Sequence, residues 1–473
     1  MGSFSHLLCA ALILMVAIAS WFFGRMGPAL VLNLSVFGAA VLLILISHEI
    51  KTRRIKGVSR NRTFPLTGFL PWLFFLGLGV VGLFNPAYTR ILLPEGPALV
   101  RQAHSETLPM VVNANHAIIV LILYAVGMVA FVAIVRSAFS RSLLRSLLVL
   151  LVVNGALISA IGLLGKLTSG FSLFGLLPQT DTLPFATFDY HNNWTGFAVP
   201  LIAVALGLIE YRMVRQIRDG QSLRLPPGLA FCVLLLVLGV VMSSSRSGLL
   251  LMAVVFAIAL FRLARVVRRM GSKGVSWSRL LRPNTLYVMV LLIAFGALLF
   301  AGRGILKARW DYTRMQVEQV SERGRVESRV YLARDTASMA MDKPILGWGN
   351  GSWAYVFPLF AGPEFSLRMG ASMRSFPFAH NDWLQLWAET GLIGFLAVMS
   401  VPIGILLLLR RKGRANPVTD WTLCGIALVG VLACWDYPMG HPANLLQVSV
   451  LSGLAVAYAI LDKRVRKERH GKG

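Results

Sequence analysis

Residues 228–261 read GLAFCVLLLVLGVVMSSSRSGLLLMAVVFAIALF. A membrane-crossing helix needs about 20 mostly apolar residues. These thirty-four are too many for one such helix and barely enough for two. The interruption Ser243-Ser244-Ser245-Arg246-Ser247-Gly248 therefore reads as a very tight polar turn between two short spans. The same length criterion, carried outward in both directions, gives twelve candidate spans near 7–23, 28–47, 64–84, 111–135, 146–165, 195–211, 228–242, 248–261, 285–301, 391–409, 421–437 and 444–461.

Composition agrees with that count. Of 473 residues, 56% are hydrophobic and 14% charged, and the mean hydropathy is +0.69. A soluble domain carries about a quarter charged residues. Forty-six Lys and Arg against 20 Asp and Glu leave a net charge of +26, which alone would suggest a nucleic-acid partner. Nucleic-acid binding is excluded because a soluble basic protein could not keep so much apolar surface from water. The basic residues instead cluster in alternate loops, at 51–62, 136–145, 212–224, 262–282 and 410–414 and in the tail from Lys463 to Lys472, which hold thirty of the 46. Short Lys/Arg-rich loops stay in the cytoplasm, so both termini are expected inside. Met1–His6 has no Lys or Arg, so the first apolar run reads as a retained span rather than a signal peptide. The four cysteines, Cys9, Cys232, Cys424 and Cys434, fall in apolar runs and suit neither a disulfide framework nor a metal site. With no internal repeat, the whole chain, 1–473, reads as a single integral-membrane domain.

The opposite face is expected to carry the chemistry. Its loops include 85–110, 166–194 and a long one, 302–390, rich in Trp, Phe and Tyr. Loops that long are functional or disordered. Span interiors hold almost no ionisable residue, since Glu49, Glu210 and Asp436 lie at span ends; this counts against an ion-coupled transporter. Walker-type loops and zinc-like clusters are absent from the sequence.

Several stretches remain. Arg246, at the outer interface, reads either as a snorkelling side chain in a polar turn or as an anion ligand whose planar fork suits phosphate. Arg325 and Arg329 are four apart and would share a helical face, although Glu322 and Glu327 could neutralise them in an exposed ion-paired helix. The helical pattern over Val330–Met341 stops at Asp342-Lys343-Pro344. Gly347-Trp348-Gly349-Asn350-Gly351 resembles a phosphate loop in spacing only; a turn requiring positive φ fits it better. His380-Asn381-Asp382 opens the segment that runs into the tenth span. A histidine there can titrate near neutral pH, as a general base should, though a lone histidine is more often structural.

Taken together these stretches resemble the O-antigen ligase and O-antigen polymerase superfamily of bacterial polytopic glycosyltransferases. The family signature is His followed by Asn, Ser or Gln, nine residues, and G-x-x-G; His380-Asn381, Asp382–Thr390 and Gly391-Leu392-Ile393-Gly394 match it. Ser245-Arg246-Ser247-Gly248 is similar to the family's S-R-G-like turn, and Arg329 lies fifteen residues before the P-x-x-G-x-G of Pro344–Gly349. Phe188–Asn193 resembles the F-x-N-x-N segment only loosely. The aromatic often found a turn after the arginine is Ala333 here, which leaves Arg325 and Arg329 as alternatives.

The resemblance implies a GT-C-like, all-α polytopic fold of about twelve transmembrane helices in the bacterial inner membrane, with a periplasmic active site in loop 302–390. It implies a metal-independent, cofactor-free, inverting transfer of a glycan from undecaprenyl diphosphate to a carbohydrate acceptor. His380 would be the base, and Arg246 and Arg329, with Arg325 in reserve, would bind the diphosphate. Asn381 or Asp382 would orient the base, with Ser245 beside Arg246. The acceptor would be lipid A–core for a ligase or another repeat unit for a polymerase, with a transporter as the rival from another class.

Overall fold

The computed structural model describes residues 2–22, 28–54, 66–93, 96–137, 140–168, 184–222, 224–271, 328–362, 377–412 and 416–470, with isolated positions between 300 and 315. The helices are α1 (Gly2–Trp21), α2 (Pro28–Arg54), α3 (Leu70–Leu83), α4 (Ala114–Arg136), α5 (Arg141–Leu167), α6 (His191–Arg218), α7 (Pro227–Met242), α8 (Arg246–Gly271), α9 (Ser328–Asp342), α10 (Asp382–Lys412), α11 (Pro417–Leu432) and α12 (Pro442–His470). Among the described residues, eight helices are long and apolar enough to cross a membrane, and α3, α7 and α11 are shorter apolar ones. This is a mostly helical, multi-pass membrane protein. Eleven of the twelve expected spans coincide with a helix; the ninth, 285–301, lies almost wholly outside the described residues, as does Arg325.

Local sequence sets the helix ends. Asn113, Ser140 and Asn416 cap α4, α5 and α11 by accepting the N–H of His116, Leu143 and Val418 at 3.2, 3.1 and 3.0 Å. Pro417 follows its cap at the first helical position, where a missing N–H costs nothing.

The main core joins α1, α2, α4–α8, α11 and α12, with α6 at its centre. Close approach of α6 and α11 rests on glycine: a Cβ on Gly425 would meet Pro200 Cα at 2.8 Å. Beside Pro200, the amides of Asn444 and Gln447 on α12 donate to the carbonyls of Asn193 and Phe197 at 3.0 and 2.8 Å. Side chains of one helix thus serve backbone carbonyls of another within the span. Large apolar residues such as Leu32, Leu43 and Leu260 face outward at 64–68% exposure, as lipid-facing positions require.

Ties across helices hold three arginines of the basic segments at one end. Arg141 donates to Leu461 O and Arg145 to Tyr211 Oη, both at 3.0 Å, and Arg262 reaches both Glu210 and Asp420. At the other end a second, smaller core is built from Ala87, Met110, Leu332, Met339, Trp348, Trp353, Phe357 and Ala388. Beside it lies an antiparallel hairpin, β1 (Tyr88–Leu93) with β2 (Gly96–Arg101), running in register from Tyr88↔Arg101 to Leu93↔Gly96. The segment 85–110, expected as a loop, contains this hairpin. The site described next lies where the two cores meet.

Candidate active site

The tenth span is longer than its apolar run, because α10 begins at Asp382 and is broken at Gly391 (φ 63°, ψ −177°). The break is where the two glycine motifs interlock. Trp348 N and Gly349 N donate to the carbonyls of Ala388 and Glu389 at 3.0 and 2.7 Å, and Leu392 N and Ile393 N donate back to Pro344 O and Ile345 O at 2.8 and 3.3 Å. A Cβ on Gly391 would come within 2.1 Å of Ile345 O, so only glycine fits. Gly347, Gly349 and Gly351 all have positive φ, as expected of a turn. Trp348 and Trp353 anchor it to α9 through Met339 O and Thr336 Oγ1, at 3.1 and 3.0 Å. The glycine loop is thus a clasp between α9 and α10.

The clasp sets His380 at the mouth of the bundle. His380 has φ 51°, unusual for a residue with a side chain. The chain turns there because Asp382 N donates to Ala433 O and Asp436 O, at 2.9 and 3.2 Å, which draws the start of α10 against the loop after α11. Asp436 in that loop is 1% exposed, with its Oδ1 3.3 Å from His380 Nδ1 and its Oδ2 3.4 Å from Arg329 Nη2. Asn192 Nδ2 also donates to Oδ2, and Tyr190 Oη lies 3.4 Å from it. Arg329 Nη2 donates to Tyr190 Oη at 3.1 Å.

Electrostatics follow from this packing. Burial pushes the Asp436 carboxyl up, but the bond and charge of His380, then Arg329, pull harder and leave it below the ordinary carboxylate range. Burial, then the charge of Asp436, raises the Tyr190 phenol, so it stays protonated at neutral pH. Rings close the sides. Tyr437 stacks between Phe378 and Tyr190, with centroids 4.4 and 5.3 Å away, and His380 stands edge-on to Tyr437 at 4.8 Å.

The polar turn 243–248 reaches the same cluster. Ser245 Oγ donates to Asn192 Oδ1 at 2.5 Å and accepts Gly248 N at 2.9 Å, which caps α8. Trp435 Nε1 donates to Ser247 Oγ at 3.1 Å. Arg246 therefore starts α8 two hydrogen bonds from Asp436, with an exposed side chain. Two expected positions fall elsewhere. Asn381 caps α10 through Leu384 N at 3.0 Å, and the Asp382 carboxylate accepts Met439 N at 2.8 Å. The carboxylate against His380 is that of Asp436, not Asp382. Among the described residues, no group of three or more His, Cys, Asp and Glu could hold a metal ion.

Residues 231–399 match the family model described as O-antigen ligase. Over that stretch, a little over a third of the chain, the sequence is similar to the O-antigen ligase family. No curated protein matches the chain. The matched O-antigen ligase segment contains Arg246, Arg329 and His380, while Tyr190, Asn192, Asp436 and Tyr437 lie outside it. Tyr190 and Asn192 stand in the loosely matching Phe188–Asn193 stretch and Asp436 at a span end, and no local pattern marks any of them as part of the site.

Proposed function

We propose that this chain is a ligase-type glycosyltransferase of the bacterial inner membrane. It would move a glycan from undecaprenyl diphosphate to lipid A–core on the periplasmic face, with both termini in the cytoplasm. The observation that supports it is the convergence of His380 and Arg329 on Asp436 at the end opposite the basic loops. Asp436 Oδ1, 3.3 Å from Nδ1, favours a proton on that nitrogen by its charge, so His380 Nε2 is the base that takes the proton of the acceptor hydroxyl. The freed oxygen attacks the anomeric carbon opposite the diphosphate, the bond to the leaving oxygen breaks, and its electron pair stays with the phosphate. Attack from that side inverts the carbon. Arg246 and Arg329 offset the charge that develops on the leaving group, the role a divalent cation would otherwise fill. Arg325 stands in reserve.

The test is a deletion strain complemented with wild type, His380→Ala or Arg246→Ala. Loss of the gene should leave untransferred lipid-linked polymer. Wild type alone should clear it, and both variants should reach wild-type membrane abundance. Accumulated single repeats would make the enzyme a polymerase instead, and unchanged envelope glycans would overturn the reading.

A further inference from the structure

The nine residues between His380-Asn381 and Gly391 form two and a half turns of helix, and one face of it carries a chain of hydrogen bonds unrelated to substrate. Glu389 is 7% exposed. Its Oε2 accepts Gly351 N at 2.8 Å, and its Oε1 accepts both Trp353 N at 3.1 Å and Gln385 Nε2 at 3.1 Å. Gln385, one turn earlier, accepts Ala379 N on its Oε1 at 3.0 Å. Ala379 is buried and directly precedes His380.

We infer that Glu389 and Gln385 are positioning residues for His380, a reading that rests on the function proposed above. A left-handed backbone at a residue with a side chain persists only where its surroundings over-determine it. Here the determinants flank it: Gln385 takes the N–H of Ala379 on one side, and Ala433 O and Asp436 O take that of Asp382 on the other. The first of these is only as firm as Gln385, which is held by Glu389, which is held by the glycine loop. The spacing of the motif has a mechanical sense. Gln385 and Glu389 are four apart and stack on one helical face, so a loop docked at Gly391 fixes a backbone angle more than two turns away. The groups facing His380 include Asp436, Tyr190 and Tyr437; His116, whose Nδ1 is 2.9 Å from Gly351 O, lies beside Glu389.

The experiment uses the full chain in proteoliposomes with a lipid-linked glycan donor, comparing wild type, Glu389→Gln and Gln385→Met. Glutamine places an amide N–H against a backbone donor, and methionine keeps length while removing the acceptor. A displacement of about 1 Å in a catalytic group costs about 10²-fold. Both variants should lose that factor in kcat, with KM for the donor within about twofold of wild type. Carbethoxylation of His380, read by peptide mass spectrometry, should be several times faster in both, a change that ordinary loss of stability does not produce in protein that remains folded. Unchanged kcat and labelling in folded variants would overturn the inference, whatever their melting temperature. Labelling needs no turnover, so accelerated labelling alongside undiminished transfer by His380→Ala would sink the proposed function and leave the positioning geometry intact.

Discussion

At the basic end of the bundle, Arg262 of α8 grips Glu210 of α6 with two contacts of 2.7 and 3.0 Å and reaches Asp420 of α11 at 3.2 Å. At the opposite end the same three helices, or the turns adjoining them, deliver Ser245, Asn192 and Asp436 to His380 and Arg329. Both clusters join arginine to acid. The first is locked from every side: Trp421 Nε1 donates to Glu210 at 2.7 Å, and Arg262 lies over the Trp421 ring. Each of its acids has a permanently charged partner. The second replaces one permanent charge with a histidine in a left-handed backbone, and presents Arg246 to solvent. A charge cluster that only fastens helices has fixed partners. One built for chemistry includes a group that can gain and lose a proton.

Asp436→Asn should separate the two most sharply. It removes the carboxylate that faces His380 Nδ1, and we expect transfer to fall about 10²-fold, within the range attributed to general acid–base catalysis, with donor KM little changed in steady-state assays. Because its folded pKa is depressed, the stability Asp436 contributes is complete above the ordinary carboxylate pKa near 4 and is lost as pH falls through its lower folded value. The melting temperatures of wild type and variant should therefore differ at neutral pH and converge below about pH 4. Arg262→Leu should do the reverse. Stranding Glu210 and Asp420 destabilises by about 2 kcal/mol, less than a fully buried pair because these side chains are 16–29% exposed. The surviving folded protein should keep its turnover, measured per folded molecule. Ser245→Ala should give the smallest effect: loss of a helix cap worth about 1 kcal/mol and a modest fall in transfer as Asn192 loses its donor. A fall as large as that of Asp436→Asn would place Ser245 among the reacting groups.

The sequence carried the architecture well because membrane spans are written in continuous runs. Residues 228–261 appear as α7 and α8 with the turn where the serines stand. The stop at Asp342 and the positive φ of the three glycines were likewise local matters, settled by a proline and by the absence of Cβ. Asp436 was not legible as the partner of His380. The two are brought together by the docking of the start of α10 on the loop after α11, and no local pattern encodes that contact. Asp382 was the nearer candidate in sequence, yet the first residue of a helix directs its carboxylate to Met439 N. The hairpin at 88–101 was missed because apolar residues set the reading of its neighbours as span and loop. Its own strands, Tyr88–Leu93 and Gly96–Arg101, are six residues each, too short for their pattern to stand out.

The break at Gly391 has a consequence for measurement. In an unbroken helix the amide hydrogens of Leu392 and Ile393 would be held by carbonyls four residues earlier in α10. Here they are held by Pro344 and Ile345, in a different segment. Their exchange with solvent deuterium is therefore governed by the docking of the glycine loop rather than by the fraying of their own helix. Two amides in one of the most regular elements of the protein become reporters of whether a distant loop is closed.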